Sequence, residues 1–195
     1  MENNNADSEK SFDETYAKKV EMFGHPYLEF QDYFNKYPVK GTVLDLGCGQ
    51  GRDSLFLASM GYQVTAVDSS KVGVNQMLEK AKKQNLTLIG IAEDIFNLKI
   101  EANFDIILFD MLLHGFDNKQ QTVLLEKYSK HLNNNGIICI VYPDDIDKNQ
   151  FIDQFNLLQG KWQFIQEIDV KDVPKIDGET IDFEFRMMIV KYISK

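Results

Sequence analysis

The stretch Val43-Leu44-Asp45-Leu46-Gly47-Cys48-Gly49-Gln50-Gly51-Arg52, VLDLGCGQGR, runs an apolar strand pattern into three glycines at alternate positions. Glycine lacks a Cβ, so a chain that uses it three times in five residues can turn sharply and bring its backbone against a ligand. A dinucleotide-binding turn, G-x-G-x-x-G, has a third glycine that lets helix and strand pack closely; here that position is Arg52, and the extra glycine sits at 51. A phosphate-cradling P-loop requires Gly-Lys followed by Ser or Thr, and none follows. What remains is a strand carrying Asp45, a glycine turn, and a helix N-terminus whose free N–H groups favour a carboxylate or similar anion. One strand later, Val64-Thr65-Ala66-Val67 ends at Asp68. A carboxylate there is placed to accept both hydroxyls of a ribose, although it could equally cap the helix starting near Lys71. The order of these features points to a nucleoside ligand.

Short apolar runs alternate with longer stretches at helical spacing along the chain, the pattern of a parallel sheet covered on both faces. The fold class expected is α/β, a doubly wound, mostly parallel Rossmann-like sheet ending in an antiparallel hairpin. Strands are predicted over Thr42–Leu46, Gln63–Val67, Leu86–Ile91, Phe104–Asp110 and Gly136–Tyr142, rich in Val, Ile and Leu as doubly buried strands should be. Helices are predicted over Arg52–Met60, Lys71–Lys83, Lys119–Leu132 and Asn149–Leu158, with Gly61 and the run from Asn133 to Gly136 as C-terminal stops. Two β-like runs, Trp162–Val170 and Glu179–Ile193, form the hairpin. Amphipathic stretches occupy Phe12–Val20 and Tyr27–Tyr37. Residues 1–10, MENNNADSEK, read as a disordered, polar N-terminus and not as a signal peptide, and residues 11–195 as one domain.

With 195 residues, 44% of them hydrophobic, the chain can bury one substantial core. A formal charge of −9 opposes affinity for nucleic acid or an anionic membrane, since both recruit clustered Lys and Arg. No apolar run is long enough to span a bilayer. Cys48 and Cys139 lie far apart and read as free buried thiols, in keeping with a reducing cytoplasmic location. The three histidines share no ligand spacing, so no metal site is expected.

The run VLDLGCGQGRDSLFLASMGYQVTAVDSS resembles the first two motifs of class I S-adenosylmethionine-dependent methyltransferases. Within that group, Gly51-Arg52 and Ser54-Leu55-Phe56-Leu57-Ala58 are most similar to the small tellurite-resistance and thiopurine methyltransferases. Ile91-Ala92-Glu93-Asp94-Ile95 resembles the loop after the third strand, and Phe104–Asp110 and Gly136–Val141 resemble the fourth and fifth strands. The resemblance implies S-adenosylmethionine as cofactor, with site roles carried over position by position. Asp45 would hold the methionine amino group through water, and the Gly47, Cys48 and Gly49 backbone would pack against the methionine and ribose. Asp68 would bind the ribose hydroxyls, Ser69 would sit beneath the adenine, and Asp94 would accept from its amino group beside the Ile95 backbone. Asp110 and Met111 would close the site near the sulfonium, and Arg52 would meet the methionine carboxylate or an internal acid.

Transfer of an activated methyl group needs alignment and exclusion of water, and a base only when the acceptor arrives protonated. His114, just beyond the fourth strand, is the candidate catalytic base, because an imidazole accepts a proton at neutral pH; a plain loop cap is the other reading. Asp110-Met111-Leu112-Leu113 departs from the Pro-Pro-aromatic signature of amino methylation, and no cysteine stands there for ring-carbon methylation. A small acceptor is therefore expected, a thiol or a selenium or tellurium compound in line with the resemblance. An oxyanion calls for converging Arg or His, and the hairpin offers chiefly Arg186 beside Asp182 and Glu184. The rival from another class is a nucleoside-binding regulator or sensor without turnover. Either would work as a monomer or homodimer.

Overall fold

The structure is a computed structural model that describes residues 12–19, 21–37, 40–172, 175–176, 179–180 and 182–193. Residues 1–10, expected to be disordered, lie outside the described residues. Helix α1 (residues 12–18) and α2 (Leu28–Lys36) precede the sheet. Then come β1 (Thr42–Leu46), α3 (Arg52–Ser59), β2 (Gln63–Asp68), α4 (Lys71–Lys83), β3 (Ile89–Ala92), β4 (Phe104–Asp110) and α5 (Asn118–Ser129). The chain continues through β5 (Leu132–Pro143), α6 (Asn149–Leu157) and β6 (Lys161–Asp172), a small ribbon of β7 (Lys175–Ile176) and β8 (Glu179–Thr180), and β9 (Phe183–Ile193). The main sheet has seven strands in the order β3-β2-β1-β4-β5-β9-β6. The first five are parallel, and β9 runs antiparallel between β5 and β6. The α/β class and the terminal hairpin expected from the sequence are both present.

Strand alternation sorts the core into two layers. Val43, Ile106, Leu108 and Val141 face α2, α3 and α4, packing with Phe30, Phe34, Leu57 and Met77. Leu44, Leu46, Ile107 and Phe109 face α5 and α6, packing with Leu125, Tyr128, Phe151 and Phe155. Since side chains repeat every second residue, Asp45 joins Val43 on the α3 side, and Asp110 joins Leu108. The β-α-β rhythm thus delivers two carboxylates to one face beneath α3.

The boundaries differ from the predicted ones where turn chemistry was misread. The third strand begins at Ile89 instead of Leu86, because Leu86 is still bonded back to Ala81 in the turn that ends α4. The helix predicted to Leu132 ends at Ser129, and β5 already starts at Leu132. The Asn-rich run predicted as a stop is an irregularity within that strand: Phe104 pairs with Leu132 but Ile106 pairs with Ile137, and Asn135 takes φ 64°. Asn133 anchors it by donating to Asp105 Oδ1 at 2.8 Å, while Asp105 Oδ2 accepts from the Thr42 N–H at 2.8 Å. The run predicted as one strand from Glu179 is divided between β8 and β9.

At Gly51, φ is +81° and an added Cβ would lie 2.2 Å from Met77 Cγ. Gly51→Ala therefore combines left-handed strain with overpacking against α4, and should lower unfolding free energy by about 2 kcal/mol. The shift of the urea midpoint at constant slope checks it.

Candidate cofactor site

The glycine turn is bolted to the end of β2. The Gly47 and Cys48 N–H groups both donate to the Val67 carbonyl, at 2.8 and 3.0 Å. The Gly49 N–H donates to Asp68 Oδ2 at 2.7 Å, and the Ser70 N–H to Asp68 Oδ1 at 2.7 Å. Ser70 in turn caps α4 by accepting from the Gly73 N–H at 3.0 Å. Burial raises the Asp68 carboxyl above its ordinary value, opposed by those two N–H groups. An ionised carboxylate has about four lone-pair positions, so two remain for hydroxyl donors. Ser69 follows directly, half-buried. The helix cap itself is Ser70, not Asp68; Asp68 braces the residue before α4 and keeps acceptor capacity.

Helix α1 lies over this turn, a contact that sequence reading missed. Tyr16 is buried beside it: a Cβ on Gly49 would meet the Tyr16 Oη at 2.9 Å, and one on Gly73 the Tyr16 ring at 3.0 Å. Asp13 Oδ1 accepts from the Ser70 hydroxyl and, at 3.1 Å, from the Val72 N–H, which places a carboxylate at the α4 N-terminus. Gln76 Nε2 donates to the Tyr16 carbonyl at 2.9 Å, and Gln50 Nε2 to that of Lys19 at 2.7 Å. The amphipathic pattern from Phe12 announced the helix, but nothing local announced its partner. Between this segment and α4 lies a cavity of about 330 Å³ lined by Phe23, Gln50, Arg52, Gln76 and Lys80 among others. A larger open cleft of about 470 Å³, between α5 and α6, stands apart from the glycine turn.

Beneath the turn, Arg52 meets internal acids, the second of its two sequence readings. Its Nε and Nη2 donate to Asp53 at 3.1 and 3.0 Å, Nη2 also donates to Asp110 Oδ2, and the guanidinium sits 4.2 Å from the Tyr27 ring centre. Asp45 lies behind the turn at 2% exposure, accepting from the Ser54 hydroxyl at 2.5 Å. Burial, reinforced by Asp53, pushes its carboxyl up to about 7. Neither Asp53 nor Ser54 was given a site role from the sequence; their i+8 and i+9 spacing from Asp45 across a turn was the available signal. No group of three or more His, Cys, Asp or Glu side chains among the described residues is arranged to hold a metal ion.

The other predicted residues stand at the ends of β3 and β4. Asp94 Oδ1 accepts from the Phe96 N–H at 2.8 Å, turning the loop, and the Ile95 carbonyl accepts from the Tyr128 hydroxyl at 2.6 Å. Met111 follows Asp110 with φ 48°, its N–H on the Val141 carbonyl at 3.0 Å. His114 lies in a 3-10 turn, Leu113–Gly115. Its Nδ1 is buried without a hydrogen-bond partner among the described residues, and burial lowers its pKa, with Asp145 opposing.

The family model for tellurite resistance protein TehB matches residues 13–157. The chain belongs to the TehB family. A probable S-adenosyl-L-methionine-dependent methyltransferase TehB of Haemophilus influenzae is 32% identical over 53% of this chain and 37% of its own length, so the chain spans well under two thirds of that curated relative. Hemagglutinin 1 of Eikenella corrodens is 44% identical over 92% of this chain and 68% of that protein. The crystal structure of TehB from Haemophilus influenzae superposes with a TM-score of 0.70 at 25% identity, covering 93% of this chain and 67% of that one. The resemblance to class I S-adenosylmethionine-dependent methyltransferases read from the glycine turn is met by the TehB match, whose Haemophilus influenzae relative carries that description. No helix among the described residues is long and apolar enough to cross a membrane.

In this TehB-family site, a buried acid with a raised pKa stabilises the fold while protonated. The Asp45 contribution is full below its unfolded value, near ~4, and is lost as pH rises through about 7. The thermal midpoint should therefore decline from about pH 5 to about pH 8, and Asp45→Asn should decline less. Each pKa unit removed is worth about 1.4 kcal/mol.

Proposed function

We propose that this chain transfers a methyl group from S-adenosylmethionine to a small acceptor with a soft nucleophile, a thiol or a selenium or tellurium compound. The observation that carries the reading is Asp68, which ends β2 with two acceptor positions unspent while its other two are pinned by the Gly49 and Ser70 N–H groups. Two further features fit a nucleoside with a charged tail. The glycine turn has no side chains of its own at Gly47, Gly49 and Gly51, and Asp110 Oδ1 is buried without a donor.

When bound, S-adenosylmethionine supplies an already activated methyl group. Asp68 takes the ribose hydroxyls, while Ser69 and the Asp94–Ile95 loop flank the adenine. The Gly47 to Gly49 backbone, Asp110 and Met111 border the methionine end, with Asp45 and Arg52 shaping that end from behind. Tyr16 and α1 exclude water from the turn. His114 is the general base: desolvation keeps its imidazole neutral near pH 7, and Nδ1 has no internal hydrogen bond to give up. Metalloid oxyanions are less suited than thiols, since Arg186 is committed to Asp169 at 2.7 Å and lies 4.0 Å from Glu167. These neighbours come from β6, in place of the Asp182 and Glu184 expected from sequence. A small acceptor without nucleic acid or membrane, a single domain over residues 11–195, a monomer or homodimer and a cytoplasmic location complete the proposal.

Calorimetric titration with S-adenosylmethionine and S-adenosylhomocysteine should give binding that weakens at least about tenfold in Asp68→Ala, as the loss of charge-assisted hydrogen bonds implies. Absence of binding by either nucleoside would sink the cofactor reading. Binding without product across a panel of thiols and selenium and tellurium compounds would instead favour a sensor.

His114→Gln should slow turnover of a protonated thiol roughly 10²-fold and leave a selenol, already ionised at neutral pH, nearly unaffected. Equal losses for both acceptors would remove the base assignment.

A further inference from the structure

Helix α5 turns one stripe of its surface into the core, where Leu124, Leu125 and Tyr128 are fully buried. Position 121 stands three and four residues before the two leucines, on the same stripe, yet it carries a glutamine that is 1% exposed. An apolar residue would fill that place without removing a primary amide from water, a cost that is offset only when the amide's donors and acceptor find partners. The Gln121 amide finds them on both ends. Its Nε2 donates to the Leu113 carbonyl at 2.9 Å and to the Phe116 carbonyl at 2.8 Å. Its Oε1 accepts from Gln154 Nε2 at 2.8 Å and from Gln150 Nε2 at 3.0 Å, both on α6 and one helical turn apart.

The chemistry of these neighbours fixes which end of the amide faces which way. Two carbonyl oxygens can only accept, so the NH2 end points at them and the oxygen is left to the α6 amides. Turning the group over would set oxygen against oxygen.

The two carbonyls belong to residues on either side of His114. The 3-10 turn Leu113–Gly115 closes with the Phe116 N–H on the Leu113 carbonyl at 3.1 Å. Apolar contacts secure its depth: Leu113 is fully buried, and the Phe116 ring meets that of Phe96 at 5.3 Å between centres. Such contacts are non-directional. The bonds from Gln121 are directional, and they set how the backbone around His114 is rotated and therefore where the imidazole points. His114 Nδ1 is buried with no hydrogen-bond partner among the described residues, and Asp145, after β5, is the charged group that acts on the ring. The direction of the imidazole is thus inherited from its backbone.

We propose that Gln121 is a positioning residue for methyl transfer: held by Gln150 and Gln154 of α6, its amide fixes the turn after β4 and with it the direction of the His114 imidazole. This rests on the assignment of His114 as general base. A base must stand within hydrogen-bond reach of the proton it takes, and misplacement by about 1 Å can cost about 10²-fold in rate. Helices α5 and α6 thereby support the chemistry from the face of the sheet opposite α3.

The test uses Gln121→Met, which keeps an unbranched side chain of similar length and loses the four hydrogen bonds of the amide. Proton NMR of the three imidazoles across pH, in the full chain and with His114→Gln to assign the signal, reads the turn without any acceptor. Burial lowers the His114 pKa, so a turn released toward water should move its titration midpoint upward in Gln121→Met, with His25 and His131 as internal controls. Kinetics with 2-mercaptoethanol, protonated at neutral pH, and with its selenol analogue, already ionised, read the base. The kcat for the thiol should fall roughly tenfold while that for the selenol stays nearly unchanged. Adding Gln121→Met to His114→Gln should slow the thiol no further, as expected of two residues that act through one group.

A role confined to tying α5 to α6 would lower the thermal midpoint but leave the imidazole titration and the thiol-to-selenol ratio as they are. That result in the folded variant overturns the proposal and leaves the base assignment standing. If His114→Gln itself slows both acceptors alike, the base assignment falls and the positioning role falls with it. Gln154→Met, which removes one of the two donors that hold Gln121 Oε1, serves if Gln121→Met does not fold, with smaller shifts in the same directions.

Discussion

Because the Asp68 carboxylate takes the Gly49 N–H with one oxygen and the Ser70 N–H with the other, the turn after β1 and the start of α4 after β2 become one rigid unit. Three further bonds depend on it directly or by adjacency: Gly47 and Cys48 reach the Val67 carbonyl, and Ser70 caps α4. A carboxylate half removed from water and braced by two backbone donors keeps its charge more readily than burial alone would permit. The orientation of the Asp68 carboxylate is thus set by backbone bonds instead of by a free side chain, and its geometry is inherited from the β1–β2 pairing that aligns Leu46 with Val67.

On that unit the N-terminal helix is laid as a cover. Asp13 extends the capping of α4 that Ser70 begins, and Tyr16 fills the space that the absent side chains of Gly49 and Gly73 leave open. A salt bridge of 2.9 Å between Glu21 and Lys80 adds a peripheral tie; at this exposure such a pair contributes little. The specific attachment lies in the buried tyrosine and the two backbone-directed amides of Gln50 and Gln76. The same cover makes the turn a place where charge is felt strongly, since fewer waters remain to screen it.

Below the turn the physics is that of crowded acids. Asp45 settles against the Ser54 hydroxyl, while Asp53 and Asp110 are bridged by one guanidinium stacked on Tyr27. Buried charges persist when paired and hydrogen-bonded; here one guanidinium stands among three acids, and burial pushes the Asp45 and Asp110 carboxyls up.

The amino-acid sequence by itself determined the alternation of strands and helices, the glycine turn, Asp68 at the end of β2 and the terminal hairpin. These are local matters: period-two burial, glycines where φ is positive, and caps within a few residues. It erred where locality fails, as in the Asn133–Gly136 run, which is punctuation by composition but lies within β5 because Asn133 finds Asp105 across the sheet. Only the tertiary structure decided which acids Arg52 meets, that Asp45 lies behind the turn instead of on it, and that Tyr16 covers Gly49. The reason is register: β1 and β4 align Asp45 with Leu108, so the faces of two strands far apart in sequence must be superposed before Asp45 and Asp110 are seen to lie under the same helix, where Arg52 bridges Asp53 and Asp110.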